Sequence, residues 1–252
     1  MKKVDNKDNT MSQKRCALCG KHELLTFEHI PPQCAFNNKA IFVQNHEHLN
    51  EENSYLYGKK KKSPRGFGKQ SLCASCNNNT GNWYVKDFCS FTDQGMQILK
   101  NNKVPYYVQG NYIIKPQNVI KEILLMFLAA DSMGAIRDSP GVSEYLLDRE
   151  SMAWPEKVNI YLYSNASPKK RMLGYCIVGD IGTKGIYKWS EINYQPFGYF
   201  FSYDSPPPNE FMINVSDFSK VPYNKEKSVQ ITTAYLKVEN MLIGHYGNIE
   251  PK

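Results

Sequence analysis

The chain has 252 residues, 41% of them hydrophobic and 22% charged, with a formal net charge of +7. That length supports one large domain or two modest ones, and the composition is that of a globular protein, which excludes wholesale disorder. The longest apolar run, Ile123 to Ala130, falls well short of the roughly 18 residues that span a bilayer, so no membrane partner is expected.

Met1 to Gln13 is rich in Lys, Asn and Asp and reads as a disordered tail without a secretory leader. The chain is therefore expected to stay in a reducing cytoplasm. Seven cysteines there point to metal binding or chemistry rather than to disulfides. From Arg15 to about Phe91 the sequence is irregular and Asn-rich, and Asn37 to Lys69 reads as one long loop. Trp83, Tyr84 and Phe88 follow at helical spacing and read as the core face of a helix.

Pro116 opens the strongest helix, with Val119, Ile120, Ile123, Leu124, Phe127 and Leu128 forming a broad apolar stripe and Pro in the first turn. Leu125 and Met126 widen the stripe, so this helix should be buried on most sides. Ser139-Pro140-Gly141 is a turn signal, and Val142 to Asp148 can form a second, short helix. Beyond Val158 the chain reads as strands: Val158–Leu162, Leu173–Val178, Gly185–Ile192, Phe197–Tyr203 and Val229–Val238, with a hairpin bend over 179–183. The aromatic residues of this region, Tyr161 through Tyr203, should pack within and around the sheet.

The chemistry is concentrated earlier. Cys16-Ala-Leu-Cys19-Gly20 and Cys73-Ala-Ser-Cys76 are two Cys-x-x-Cys pairs, each presenting its sulfurs around a tight turn. Four thiolates suit tetrahedral Zn²⁺, and Gly20 fits the turn of the first pair. Cys34, Cys89 and Cys176 have no partner spacing and read as ordinary thiols. Between the pairs lies Glu28-His29-Ile30-Pro31, and Asn77-Asn78-Asn79 follows directly after Cys76.

In this order of motifs the segment from Cys16 to Asp87 resembles the HNH, or ββα-metal, endonucleases in their zinc-bearing branch. The resemblance implies a two-stranded hairpin with His29 near the end of its first strand, a second strand running into Cys73, and a helix starting near Cys76. It implies His29 as general base, with Glu28 and Asn77 holding a catalytic Mg²⁺ or Mn²⁺; Asn78 and Asn79 compete with Asn77 for that place. Zn²⁺ on Cys16, Cys19, Cys73 and Cys76 would be structural. Two features depart from the family: Glu28 stands where many members have Asp, and the stretch Gly66–Ser71 lacks the Asn many members carry there. His46-x-His48 offers a further pair of ring nitrogens in a polar segment.

A neutral imidazole can take a proton from water at physiological pH, while a divalent cation on oxygen ligands neutralises charge on the phosphorane and the leaving oxygen. Lys59, Lys60, Lys61, Lys62, Arg65 and Lys69 form a basic run suited to clamping phosphates. Residues 1–100 carry fifteen Lys and Arg against nine Asp and Glu, whereas the remainder is nearly balanced.

The expected fold class is α+β: a disordered tail over 1–13, a zinc-stabilised ββα-metal module over 14–100, and a helix plus antiparallel-sheet domain over 101–252 that contributes specificity, oligomerisation or regulation. The expected activity is hydrolysis of DNA phosphodiesters, with a restriction or phage-defence role by analogy. The rival reading is a non-catalytic zinc module that binds nucleic acid or a protein partner.

Overall fold

The computed structural model describes residues 14–44, 52–168, 170–180 and 185–236. His46 and His48, the N-terminal tail, and the tip of the 179–183 bend lie outside the described residues.

Two short strands, β1 (Lys14–Arg15) and β2 (His22–Glu23), pair antiparallel and frame the first cysteine pair. Strand β3 (Leu25–His29) pairs antiparallel with β6 (Gly68–Cys73). Between them the expected loop contains a small ladder, β4 (Ile41–Val43) on β5 (Lys61–Ser63). Helix α1 (Ala74–Thr80) starts directly from Cys73, passes through a π-helical turn at Gly81–Val85 and continues as α2 (Lys86–Asn101). Tyr84 and Phe88 are buried as the spacing predicts, but Trp83 is only half-buried, with the Arg149 guanidinium 6.0 Å above its ring.

Strand β7 (Tyr107–Ile114) was not among the expected strands; it pairs antiparallel along its whole length with β13 (Lys227–Ala234). Helix α3 (Pro116–Ala130) has Pro at its first turn, and every residue in it is buried. The short helix α4 (Val142–Leu147) follows Gly141, whose φ of +82° suits glycine.

The remaining strands are β8 (Val158–Ser164), β9 (Arg171–Asp180), β10 (Gly185–Tyr194), β11 (Phe197–Tyr203) and β12 (Ile213–Asn214). They form one antiparallel sheet in the order β12-β8-β11-β10-β9. The chain is thus mixed α and β, with antiparallel sheets and few helices.

One core runs through the described residues: Cys16, Leu18 and Leu72 belong to the same buried cluster as the α3 stripe, Ile160, Leu162, Tyr199 and Phe201. Helix α3 is its axis, packing on β6, α2 and the strands β9 to β11. An element buried all round reads as continuously apolar, and this one does. Its exceptions, Gln117, Asn118, Lys121 and Glu122, are buried polar side chains.

Candidate functional site

The four cysteines of the two pairs converge. The Sγ atoms of Cys16, Cys19, Cys73 and Cys76 all lie within 4.8 Å of one another, and Cys19 Sγ is 3.9 Å from Cys73 Sγ. A tetrahedron with Zn–S bonds of about 2.3 Å has sulfur–sulfur edges of about 3.8 Å, so the set has the size that a structural Zn²⁺ requires.

Local backbone chemistry builds this set. Gly20, at φ +74°, lets the chain turn so that its N–H reaches the Cys16 carbonyl at 3.0 Å. The Cys73 N–H donates to Cys16 Sγ at 3.3 Å. A hydrogen bond with the Cys76 side chain, reinforced by that backbone N–H, lowers the pKa of the Cys16 thiol. The same interaction pushes Cys76 up. A dication at the centre would favour the thiolate at every position. The cluster joins β1–β2, the end of β6 and the start of α1.

Cys34 and Cys89 are not ordinary thiols: they form a disulfide across 55 residues, tying the segment after β3 to helix α2. The expectation of unpartnered thiols fails for this pair because no local spacing marks a bond between a loop and a distant helix. Cys176 remains a free thiol.

On β3 the side chains alternate, so Thr26 and Glu28 face one side and Phe27 and His29 the other. A bulge in β6, with Ser71 as the extra residue, lies opposite Thr26 and Phe27. Asn77, in the first turns of α1, donates from Nδ2 to Thr26 Oγ1 at 2.9 Å, which brings it to the Glu28 side of the hairpin. Among the described residues no donor reaches its Oδ1. Asn78 and Asn79 are exposed.

Glu28 is 9% exposed, and burial pushes its carboxyl up to about 7. No hydrogen bond from a described residue satisfies it. His29 stands at the end of its strand, partly exposed, with the Phe27 ring edge-on at 4.9 Å. Its Nε2 lies 3.1 Å from the Arg65 carbonyl and 2.9 Å from the side-chain amide of Gln33. The Arg65 carbonyl can only accept, so an Nε2–H donating to it requires Gln33 to turn its amide oxygen rather than its NH2 toward the ring, and leaves the Nδ1 lone pair free. Burial and, less strongly, the Arg65 charge lower the pKa of His29, which favours the neutral ring.

Lys59, Lys60, Lys61, Lys62 and Arg65 are exposed along and beside β5. Lys69 differs: its Nζ donates to the Ala130 carbonyl at 3.2 Å and to Ser132 Oγ at 2.7 Å, at the C-terminal end of α3. It is turned inward.

Asn37 is a residue that sequence reasoning passed over. Wholly buried, it donates from Nδ2 to the carbonyls of Pro31 (2.6 Å) and Phe67 (2.7 Å), and its Oδ1 accepts from the Phe67 N–H at 2.7 Å. The Tyr194 hydroxyl, on β10, donates to the same oxygen at 3.1 Å. Asn37 therefore joins the two ends of the β3–β6 connection just beyond His29. Gly66, at φ +89°, sits so close that an added Cβ would fall on the Asn37 backbone carbonyl. An Asn thus bridges the strand ends here from the β3 side of the connection rather than from within β6.

No helix among the described residues is long and apolar enough to cross a membrane. Compared with family models, curated proteins and solved structures, the chain matches none.

Proposed function

We propose that the chain is a metal-dependent endonuclease of the HNH kind that hydrolyses DNA phosphodiester bonds. The observation that carries this reading is one compact unit, a hairpin and helix beside four clustered cysteines, with Glu28 and Asn77 on one face and His29 at the strand end. The oxygen donors there, a carboxylate without partners and a free amide oxygen, suit Mg²⁺ or Mn²⁺ rather than a soft metal. When bound, such a cation neutralises charge on the phosphoryl group and the leaving oxygen.

The chain's own residues do the rest. The Arg65 carbonyl fixes the His29 ring, and Nδ1 takes the proton from the attacking water. Asn77 is held by Thr26 so that Oδ1 stays available. Lys59 to Lys62 and Arg65 contact phosphates and position the duplex without reading its sequence. Lys69, committed to the end of α3, is not part of that clamp.

The test is cleavage of supercoiled plasmid by zinc-loaded protein with Mg²⁺, Mn²⁺ or EDTA, beside His29→Ala. Removing a general base should slow cleavage by roughly 10²–10⁴-fold. Equal, EDTA-insensitive cutting by both proteins would sink the reading.

A second reading, a non-catalytic zinc module that binds nucleic acid or a protein, draws on the burial of Glu28. Without a cation, burial pushes its carboxyl up to about 7, which disfavours the charged form. A second metal site, distinct from the cysteines, discriminates the two.

A further inference from the structure

Helix α3 provides its own comparison. Four polar side chains are buried in it, and three have found partners. Lys121 donates to the carbonyls of Tyr145 (2.7 Å) and Asp148 (2.6 Å) and lies 4.0 Å from the centre of the Tyr145 ring. Asn118 donates to the Trp83 carbonyl and to Asp87, and it accepts from the Asn224 N–H. Gln117 donates to the Ser151 carbonyl at 2.8 Å, although its own Oε1 has no partner. Glu122 is different: it is fully buried, and both of its carboxylate oxygens lack a hydrogen-bond partner.

Burying a carboxylate without partners is strongly unfavourable. An unsatisfied group of this kind needs an explanation in water, an ion or a reaction. The surroundings of Glu122 are acidic. Glu28 and Lys69 are cross-strand partners, so their side chains share one face of the hairpin. Lys69 from that face reaches Ala130 and Ser132, so the face looks onto α3. The charge acting on Glu122 is that of Glu28, which, after burial itself, raises its carboxyl further. Two carboxyls on facing elements thus act on one another, and among the described residues neither has an ion-pair partner. Lys69 is held at the far end of α3, and Lys121, next to Glu122 in the chain, is committed to the Tyr145 and Asp148 carbonyls. Asn77 Oδ1 borders the same face of the hairpin, and Glu28, unlike Glu122, retains some exposure, which gives an approach from solvent.

We infer that Glu122 is a ligand of the divalent cation held at Glu28, supplied by the long helix from outside the hairpin–helix unit. This rests on the metal site of the nuclease reading and adds to it a carboxylate from the second half of the chain. With it, the cation has two charged oxygen ligands and an amide oxygen, a set suited to Mn²⁺ or Mg²⁺ with its remaining positions held by water. It also makes the metal site complete only when α3 is docked on the hairpin.

The test reads binding, not cleavage. Mn²⁺ is titrated into zinc-loaded full-length protein, wild type beside Glu28→Gln, Glu122→Gln and Glu122→Met, with thermal melts with and without Mn²⁺. Wild type should take one Mn²⁺ beyond the zinc. The Glu122 variants should bind it at least tenfold more weakly, and Glu122→Met should melt higher than wild type without Mn²⁺ and gain nothing from it. In ¹⁵N-labelled wild type, Mn²⁺ should broaden the amide signals of Glu28 and Glu122 before others, a readout that needs no variant.

Mn²⁺ binding lost in Glu28→Gln but intact in both Glu122 variants would overturn the inference and leave the nuclease reading standing. Loss in all three variants, from a wild-type protein that cuts no DNA or RNA, would keep the inference and sink the nuclease. No Mn²⁺ bound beyond the zinc on wild type would overturn both.

Discussion

The hairpin–helix region and the five-stranded sheet are held together by different physics. Strands β8, β10 and β11 pair along six or seven residues and bury Ile160, Leu162, Ile192, Tyr199 and Phe201. At about 25 cal/mol per Å² of apolar surface removed from water, such side chains stabilise the sheet by themselves. The β3–β6 pair has five cross-strand partners and a bulge, and it leaves Phe27 45% exposed. Two strands with so little apolar cover are marginal alone. What fixes them is a set of point attachments: four cysteines, the Cys34–Cys89 bond and the Asn37 bridge. Apolar burial tolerates small losses at many places, whereas point attachments fail one at a time. A region that leaves His29 partly exposed can be built by the second strategy and not by the first.

Breaking the largest attachment should separate the two regions. Binding of a structural Zn²⁺ is worth about 10–16 kcal/mol in small zinc modules. Cys73→Ser, or stripping zinc with a chelator, is therefore expected to unfold the hairpin while the sheet persists. In hydrogen exchange, amides of Leu25–His29 and Gly68–Cys73 should lose protection and those of Val158–Ser164 and Phe197–Tyr203 should keep it. Uniform loss across both regions would mean that the shared core, rather than the metal, holds the hairpin.

Asn37 is the next test. Asn37→Ala removes the side-chain partner of the Pro31 carbonyl and of both backbone groups of Phe67, next to residues that stay buried. The Phe67 carbonyl keeps its bond from the Ile30 N–H, and each of the two groups left orphaned costs about 1–3 kcal/mol, so a loss of at least about 2 kcal/mol in denaturant unfolding is expected. On the proposed nuclease reading, DNA cleavage should fall with it, because the loop that places the Arg65 carbonyl against His29 loses its anchor. Unchanged stability would show that the bridge is incidental.

How much of this was legible in the sequence follows the range of the interactions. The cysteine cluster was readable because each pair signals itself within four residues, and α3 because Pro116 and the apolar stripe repeat within a few turns. Strand β7 was missed: Gly110 and the alternation of Gln109 and Asn111 weaken its pattern, and its partner β13 lies more than a hundred residues on. Asn37 and Cys34 were missed for the same reason, since their partners stand 30 to 157 residues away and no local rule points to them. Glu122 was hidden differently. It sits inside the helix with the strongest apolar signal, and the strength of that signal drew attention away from one carboxyl that did not fit it.

The smallest predicted effect is the most informative about coupling. Tyr194 belongs to the sheet, yet its hydroxyl donates to the Phe36 carbonyl at 3.0 Å and to Asn37 Oδ1 at 3.1 Å, on the hairpin side. Tyr194→Phe removes that hydroxyl without changing the ring, which still packs at the end of β10 beneath the Lys170 ammonium, 4.4 Å from the ring centre. Asn37 Oδ1 keeps its bond from the Phe67 N–H, so only the Phe36 carbonyl is left short. The net loss should be about 1 kcal/mol, or roughly 2–4 °C in Tm for a chain of this size. If the regions are joined by separate points, faster exchange should be confined to the segment from Ile30 to Phe36, and the β10–β11 ladder should be untouched. If the ladder loosens as well, the hairpin is stabilising the sheet and not only leaning on it. The division between a self-sufficient sheet and a dependent site would then have to be redrawn around α3.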